Sequence, residues 1–144
     1  MSQYQLPVVD ISTMPRVALA SMNEVHTQEL MLINQLGELL LQGIEGETRF
    51  GLIDSAVREW LAHTRAHFEA ENRLMESYGF PPYPVHKAEH AQVLARLESL
   101  QQQWLKERKP ELLADFIFTE WRPWFEQHVN SMDMATALYL SQRI

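Results

Sequence analysis

Five of the six histidines in this 144-residue chain recur inside apolar stretches of helical periodicity, together with two acidic residues. Polar and ionised side chains in such positions point into the core, where each costs on the order of several kcal/mol unless it has a partner. The residues concerned are His26, His67, Glu71, His86, His90, His128 and Asp133. Because one core must accommodate all of them, bound metal ions are the simplest explanation for this pattern.

Glycine and proline breaks divide the chain into four segments with helical periodicity. Gly43, Gly46 and Gly51 mark one loop, residues 79–84 contain one glycine and three prolines, and Pro110 suits the first turn of a helix. The predicted helices cover about 16–42, 48–78, 85–108 and 110–141, after an extended N-terminal arm over about 1–15. Because short loops between long helices favour antiparallel neighbours, the sequence predicts an all-α, up-down-up-down four-helix bundle.

Pro123 lies inside the fourth predicted helix. Proline lacks the backbone N–H and therefore removes one helical hydrogen bond. The sequence thus predicts a bend near Glu120 and Trp121, just before His128.

Composition limits the classes of protein and site. The length predicts one domain over residues 1–144, and a net charge of -7 disfavours nucleic acid and anionic membranes as partners. The absence of cysteine excludes thiolate zinc sites, cysteine-bound iron–sulfur clusters and disulfides, so any metal is bound through nitrogen and oxygen. With no basic leader and no run of about 18 apolar residues, we expect a soluble, cytoplasmic protein.

Two pairs of candidate ligands stand four residues apart. His86 and His90 share one helix face, as do His67 and Glu71, so each pair can bind one ion from adjacent turns. Spacing alone leaves open an exposed or capping histidine pair and a surface ion pair of little energetic value. The position of both pairs in apolar seams favours metal binding.

His128 and Asp133 are five residues apart. On a regular helix this step turns the side chain by about 140°, so the two do not share a face. By spacing alone, Asp133 is interpreted as a solvated residue.

Three stretches resemble motifs of the hemerythrin family, in particular its single-domain bacterial members. They are HTQELMLINQL, HFEAENRLMESYGFPPYPVHKAEH and WFEQHVNSMD, which begin at His26, His67 and Trp124. The resemblance covers residues from about 20 to 140.

This resemblance implies a non-heme di-iron centre with an oxo or hydroxo bridge, which binds dioxygen as hydroperoxide at an open position on one iron. It implies that one iron is bound by His86, His90 and His128, the other by His26 and His67, and that the bridging carboxylates are Glu71 and Asp133. It also implies an apolar dioxygen pocket formed by Phe68, Trp124, Phe125 and Val129. Imidazole and carboxylate ligands suit iron and manganese, although ligand type alone is also compatible with zinc.

The chain departs from the family pattern at several positions. Glu29 stands where the family usually has leucine, and it could ligate the open iron, bond to hydroperoxide, transfer a proton, or lie at the helix edge against water or a basic side chain. We expect His63, one turn before His67, to hydrogen-bond within the core or near the ligands rather than to bind metal. Asn23 replaces a frequent aspartate and the arm lacks the family's tryptophan, changes that bear on the packing of the arm more than on metal binding.

The leading hypothesis is an oxygen-binding protein, rather than an enzyme, that binds dioxygen reversibly for storage, delivery or sensing. An alternative is a di-iron enzyme that reduces dioxygen, peroxide or nitric oxide, with Glu29 as extra ligand or proton donor. A third is a metal-binding bundle with a regulatory or interaction role. The resemblance implies dioxygen as a partner, and the sequence does not indicate which protein, if any, this chain binds.

Overall fold

The computed structural model describes residues 4–144, and this part of the chain is helical and contains no β-strand. The first three long helices are α1 (Ala20–Glu45), α2 (Phe50–Ser77) and α3 (Tyr83–Glu107), and the fourth helix spans residues 110–141. Helix α1 packs against α2 and the fourth helix, and α3 does the same. The all-α prediction is confirmed. Among the described residues, no helix is long and apolar enough to cross a membrane; the cytoplasmic location stays a prediction.

The predicted start of the first helix is wrong by four residues. Helix α1 begins at Ala20 because the Asn23 side chain binds both backbone groups of Val17, at 2.8 and 2.9 Å, and holds the chain extended there. At its other end α1 continues through Gly43 to Glu45, and Gly51 belongs to α2, so the loop is limited to residues 46–49.

Local signals in the 79–84 run explain how α2 ends and α3 begins. Gly79 adopts a positive φ of 64°, a conformation that favours glycine, and the N–H of Phe80 bonds back to the carbonyl of Met75 at 2.9 Å. Pro84 occupies the first turn of α3, where its missing N–H costs nothing. This helix therefore begins at Tyr83, two residues before the predicted start.

Contacts near the loop ends show that α2 and α3 run antiparallel. Asp54, in the first turns of α2, accepts hydrogen bonds from Trp104 and Arg108 at the end of α3. At the other end, Asn72 of α2 contacts His90, which lies in the first turns of α3. The short connections between the other neighbouring helices agree with the same up-and-down order.

The fourth helix contains two π-helical turns, Ile117–Trp121 and Val129–Asp133. The first lies just before Pro123, at the predicted site of the bend, and there the N–H of Arg122 bonds to the carbonyl of Ile117, five residues earlier. A π turn inserts one extra residue into the helix and so accommodates the irregularity that proline imposes.

Two asparagine clamps fix the N-terminal arm on α1. Asn34 bonds to both the N–H and the carbonyl of Val9, at 3.0 and 2.9 Å, and Asn23 binds Val17 in the same way. Val8 is buried against Gly37, where an added Cβ would lie only 2.5 Å from a Val8 methyl group. The arm thus packs closely with asparagine at position 23 and without tryptophan.

We expect the Asp54→Asn variant to be less stable at neutral pH by about 1 kcal/mol, because Asp54 accepts charge-assisted hydrogen bonds from Arg108. The guanidinium of Arg108 lowers the pKa of Asp54 below its usual value of 3.8. Stabilisation from a lowered pKa is present above the unfolded-state value and is lost as pH falls through the folded-state value. Urea unfolding of both proteins should therefore show a difference that is constant above about pH 5 and shrinks at lower pH; a pH-independent difference would contradict this account.

Candidate metal centre

The four helices bring the seven predicted ligands together in the bundle interior, in two overlapping groups. One group has ligand atoms that all lie within 4.8 Å of one another and consists of Glu71, His86, His90, His128 and Asp133. The other, by the same criterion, consists of His26, His67 and Glu71. All seven residues are buried, with Asp133 and His26 fully so. Either group could hold a metal ion.

The two carboxylates lie between the groups, with one oxygen facing each. Glu71 Oε2 is 2.5 Å from His67 Nε2, whereas its Oε1 is 3.5 Å from His90 Nε2. Asp133 Oδ2 is 3.0 Å from His26 Nε2, whereas its Oδ1 is 3.1 Å from His128 Nε2. Carboxylates placed in this way can bridge two ions.

The interpretation of Asp133 as a solvated residue is wrong, because the π turn at Val129–Asp133 changes the geometry of the five-residue step. Hydrogen bonds in a π turn connect residues five apart, so positions five apart lie about one turn from each other. His128 and Asp133 therefore share a face and both point into the centre.

On the three-histidine side, each imidazole is oriented by an acceptor outside the centre. Thr136 Oγ1 lies 2.8 Å from His86 Nδ1, and Asn72 Oδ1 lies 2.9 Å from His90 Nδ1. His128 Nδ1 bonds to a carboxylate oxygen of Glu89. An acceptor at Nδ1 fixes the proton there and leaves the lone pair of Nε2 directed at the centre, which is the arrangement a metal-binding histidine requires.

Several buried polar atoms at the centre lack a hydrogen-bond partner among residues 4–144. They are both ring nitrogens of His26, Nδ1 of His67, Nε2 of His90, Oε1 of Glu71 and both carboxylate oxygens of Asp133. His26 Nε2 and Asp133 Oδ2 are close enough to bond but do not have hydrogen-bond geometry. Such atoms are costly in a protein interior, and a shared cation satisfies them, so the residues fit a metal.

In the absence of metal, the carboxylates are balanced by protons on some of the histidines. Burial lowers the pKa of His67, but the charge and hydrogen bond of Glu71 outweigh it and raise this pKa to about 9. Burial also lowers the pKa of His90, and the neighbouring His86 and His128 bring it to about 2, so His90 stays neutral. Because metal ligands must be deprotonated, ions at this centre displace protons.

Glu29 points inward, as its place in the seam predicts, and it is only 3% exposed. Its carboxylate accepts hydrogen bonds from Trp60 Nε1 at 3.2 Å and from Thr64 Oγ1 at 2.6 Å, and it contacts His63 Nδ1. The alternative in which Glu29 lies at the helix edge in water is therefore wrong, because the side chain is buried, but its contact with His63 agrees with the basic side chain that the same alternative named. His63 bonds to Glu29, and its side chain is 20% exposed.

We expect Glu29→Leu to destabilise the protein by about 3 kcal/mol, because it leaves the buried donors of Trp60 and Thr64 unpaired. Glu29→Gln keeps an acceptor oxygen and should cost about 1 kcal/mol. Urea unfolding measures both, and Glu24→Leu, at an exposed position on the same helix, is the matched control. A Glu29→Leu protein as stable as the control would refute this role.

Three of the four predicted pocket residues contact the histidines, and they do so from different sides. Phe68 stacks on His90 with ring centroids 4.0 Å apart, and Trp124 stacks on His128 at 4.7 Å. Phe125 meets His26 edge-on at 5.8 Å. The fourth residue, Val129, is fully buried. Phe125 thus lies at the two-histidine side of the centre, whereas Trp124 lies at the three-histidine side. Trp124 also borders an external groove of about 240 Å³.

Sequence reasoning missed the three residues that orient the histidines, Asn72, Glu89 and Thr136. Thr136 offers a usable signal, because it is a polar residue in the apolar run MATALYL. Asn72 and Glu89 directly adjoin ligand candidates in sequence but lie off the apolar seam, so periodicity assigns them to the surface. Their role becomes visible only when two helices are placed side by side.

Comparisons with known proteins agree with a metal-binding role for this cluster of side chains. Residues 17–136 match the family described as "Hemerythrin HHE cation binding domain". The chain is 34% identical over 119 residues to a bacteriohemerythrin of Aquifex aeolicus (strain VF5), covering 83% of this chain and 87% of that protein. It is 37% identical over 89 residues to a bacteriohemerythrin of Ralstonia nicotianae (strain ATCC BAA-1114 / GMI1000), covering 62% and 64%. No solved structure gives a significant match.

Proposed function

Because this chain belongs to the hemerythrin family, we propose that it is a single-domain, non-heme di-iron protein that binds dioxygen reversibly, for storage, delivery or sensing. Two iron ions bound by these residues would supply the electrons and the open position that reversible dioxygen binding requires. Nitrogen and oxygen donors without any cysteine suit iron in its common oxidation states, which supports this choice of metal.

We assign the ligands by the two groups that the side chains form. His86, His90 and His128 would hold one ion and His26 and His67 the other, with Glu71 and Asp133 shared between the two and an oxo or hydroxo group completing the pair. The placement of one oxygen of each carboxylate towards each group supports this assignment. An ion held by His26 and His67 would have fewer protein ligands, so the position for dioxygen would lie on that side.

One contact carries the proposal. His86 Nε2 and His128 Nε2 are 3.3 Å apart in the interior, and both nitrogens have their lone pairs directed inward because Thr136 and Glu89 occupy the opposite ring nitrogens. Two facing lone pairs repel each other unless a proton or a cation lies between them. A metal ion satisfies both, and it satisfies the unpaired Nε2 of His90 as well.

The apolar residues around the centre restrict water. Phe125 meets His26 edge-on, and Phe68 stacks on His90 and also contacts the ring of His67, so aromatic carbon adjoins all three of these ligand candidates. Exclusion of water and protons favours release of dioxygen unchanged over its reduction. These residues thus support reversible binding.

The proposal is tested by repeated oxygenation of the iron-loaded protein. We expect dioxygen taken up in each cycle to be recovered as dioxygen when the gas phase is exchanged for argon, as measured with an oxygen electrode. Irreversible uptake in the first cycle, with no gas recovered, would contradict reversible binding.

A second candidate function is a di-iron enzyme that reduces dioxygen, peroxide or nitric oxide. The observation that favours it is the contact between buried Glu29 and partly exposed His63, which places two proton-carrying groups between the core and the surface. The reductions consume protons, so Glu29→Gln should slow dioxygen consumption at least about tenfold in excess reductant if Glu29 supplies them. An unchanged rate in this variant would eliminate the enzymatic role of Glu29.

A further inference from the structure

The three histidines on one side of the centre differ in the acceptor at Nδ1. His86 and His90 bond to neutral oxygens, the hydroxyl of Thr136 and the amide carbonyl of Asn72. His128 bonds to Glu89, a carboxylate. Among these three ligand candidates, His128 alone has a charged acceptor.

An anionic acceptor changes an imidazole more than a neutral one does. A carboxylate at Nδ1–H draws the proton towards itself and makes the opposite nitrogen, Nε2, a stronger donor to a metal. A stronger donor, together with an added negative charge, stabilises a ferric ion more than a ferrous ion. Glu89 is placed to strengthen Nε2 of His128 as a donor and to add a negative charge beside it.

The surroundings of Glu89 preserve this effect. The side chain of His128 is only 3% exposed and that of Glu89 is 29% exposed, so the bond lies at the edge of the protein interior, where water screens it weakly. Trp124 stacks on the His128 ring at 4.7 Å and fixes its plane. Glu89 and Trp124 together form part of the wall of the groove between α3 and the fourth helix.

We propose that Glu89, acting through His128, sets the oxidation equilibrium of the iron that His86, His90 and His128 would hold and makes that iron more easily oxidised. This inference rests on the proposed di-iron function. The equilibrium is the loss of one electron by a ferrous ion to give a ferric ion, with the electron passing to a mediator in solution. Glu89 touches no reacting atom and is a positioning residue.

The test is a spectroelectrochemical titration of the iron-loaded full-length protein and of Glu89→Gln. Glutamine has nearly the same shape and can still accept the bond from Nδ1–H, but it lacks the charge. We expect the ratio of oxidised to reduced iron at a fixed potential to fall about tenfold, equivalent to about 59 mV for one electron. Unchanged thermal midpoints will show that the fold is intact.

Glu120→Gln is the matched control. Glu120 lines the same groove, but its side chain is 57% exposed and pairs with Arg96 at 3.4 Å, so its replacement removes the same charge without affecting a ligand. Its titration should match that of the unmodified protein.

The outcomes distinguish the two proposals. A Glu89→Gln titration identical to that of the unmodified protein overturns the inference, because the bond then only orients the ring. An equal shift in both variants also overturns it, since any negative charge in the groove would then change the oxidation equilibrium, with or without a bond to His128. If the unmodified protein binds no iron, the proposed function fails and the inference falls with it.

Discussion

Glu71→Ala will leave the protein unable to hold its pair of metal ions. The carboxylate of Glu71 has one oxygen 2.5 Å from His67 Nε2 and the other 3.5 Å from His90 Nε2, so its removal takes a ligand from both ions. Loss of an outer partner of a metal ligand already weakens metal affinity by about 10–100-fold, and loss of a bridging ligand should cost on the order of 100-fold or more. Iron content after desalting, measured by atomic absorption, should fall from two ions per chain to a small fraction.

A comparison with His26→Ala makes this result specific. His26 belongs to the two-histidine group alone, so its replacement should leave close to one ion per chain. Glu69→Ala, on the same helix but with a side chain 60% exposed and paired with Arg73, should keep both ions. Retention of two ions by Glu71→Ala, or loss of both by His26→Ala, would contradict the assignment of ligands.

Removal of the metal will lower the thermal midpoint of unfolding by at least about 10 °C. A ligand present at a thousand times its dissociation constant stabilises the folded state by about 4 kcal/mol, and for a domain of this size each kcal/mol corresponds to a few degrees. The metal-free protein also retains unpaired buried atoms on His26 and Asp133. Calorimetry of the protein before and after anaerobic chelation measures the change.

The Glu71→Ala variant provides the control for this experiment. Because it holds little metal, its thermal midpoint should hardly respond to chelator, and it should resemble that of the metal-free parent protein. Equal midpoints for the parent protein with and without metal would show that the buried cluster is stable by itself and would contradict an integral metal centre.

Sequence periodicity predicted the parts of the centre that lie on regular helices. His67 with Glu71, and His86 with His90, are four residues apart on uninterrupted α-helices, so spacing alone places each pair on one face. The same reasoning failed for Asp133 because this residue ends a π turn, and apolar periodicity carries no signal for a single extra residue in a helix. The family resemblance assigned Asp133 to the centre, and the structure shows that its side chain is fully buried there.

The first helix boundary and the outer partners of the histidines could not be predicted for a different reason. The start of α1 depends on Asn23 binding the backbone of Val17, and the bond from His128 to Glu89 joins residues on separate helices. Both depend on contacts that form only after the chain has folded. Glu29 is an intermediate case, since its seam position predicted an inward side chain but not the donors of Trp60 and Thr64 that hold it.

Anaerobic titration of the metal-free protein with ferrous iron, followed by addition and removal of dioxygen under an absorption spectrometer, tests the central claim most directly. We predict an end point of two irons per chain, and an absorption band in the visible region that appears with dioxygen and disappears when dioxygen is removed. An end point of one iron or none, or a spectrum that changes once with dioxygen and never returns, would contradict a reversible di-iron oxygen-binding protein.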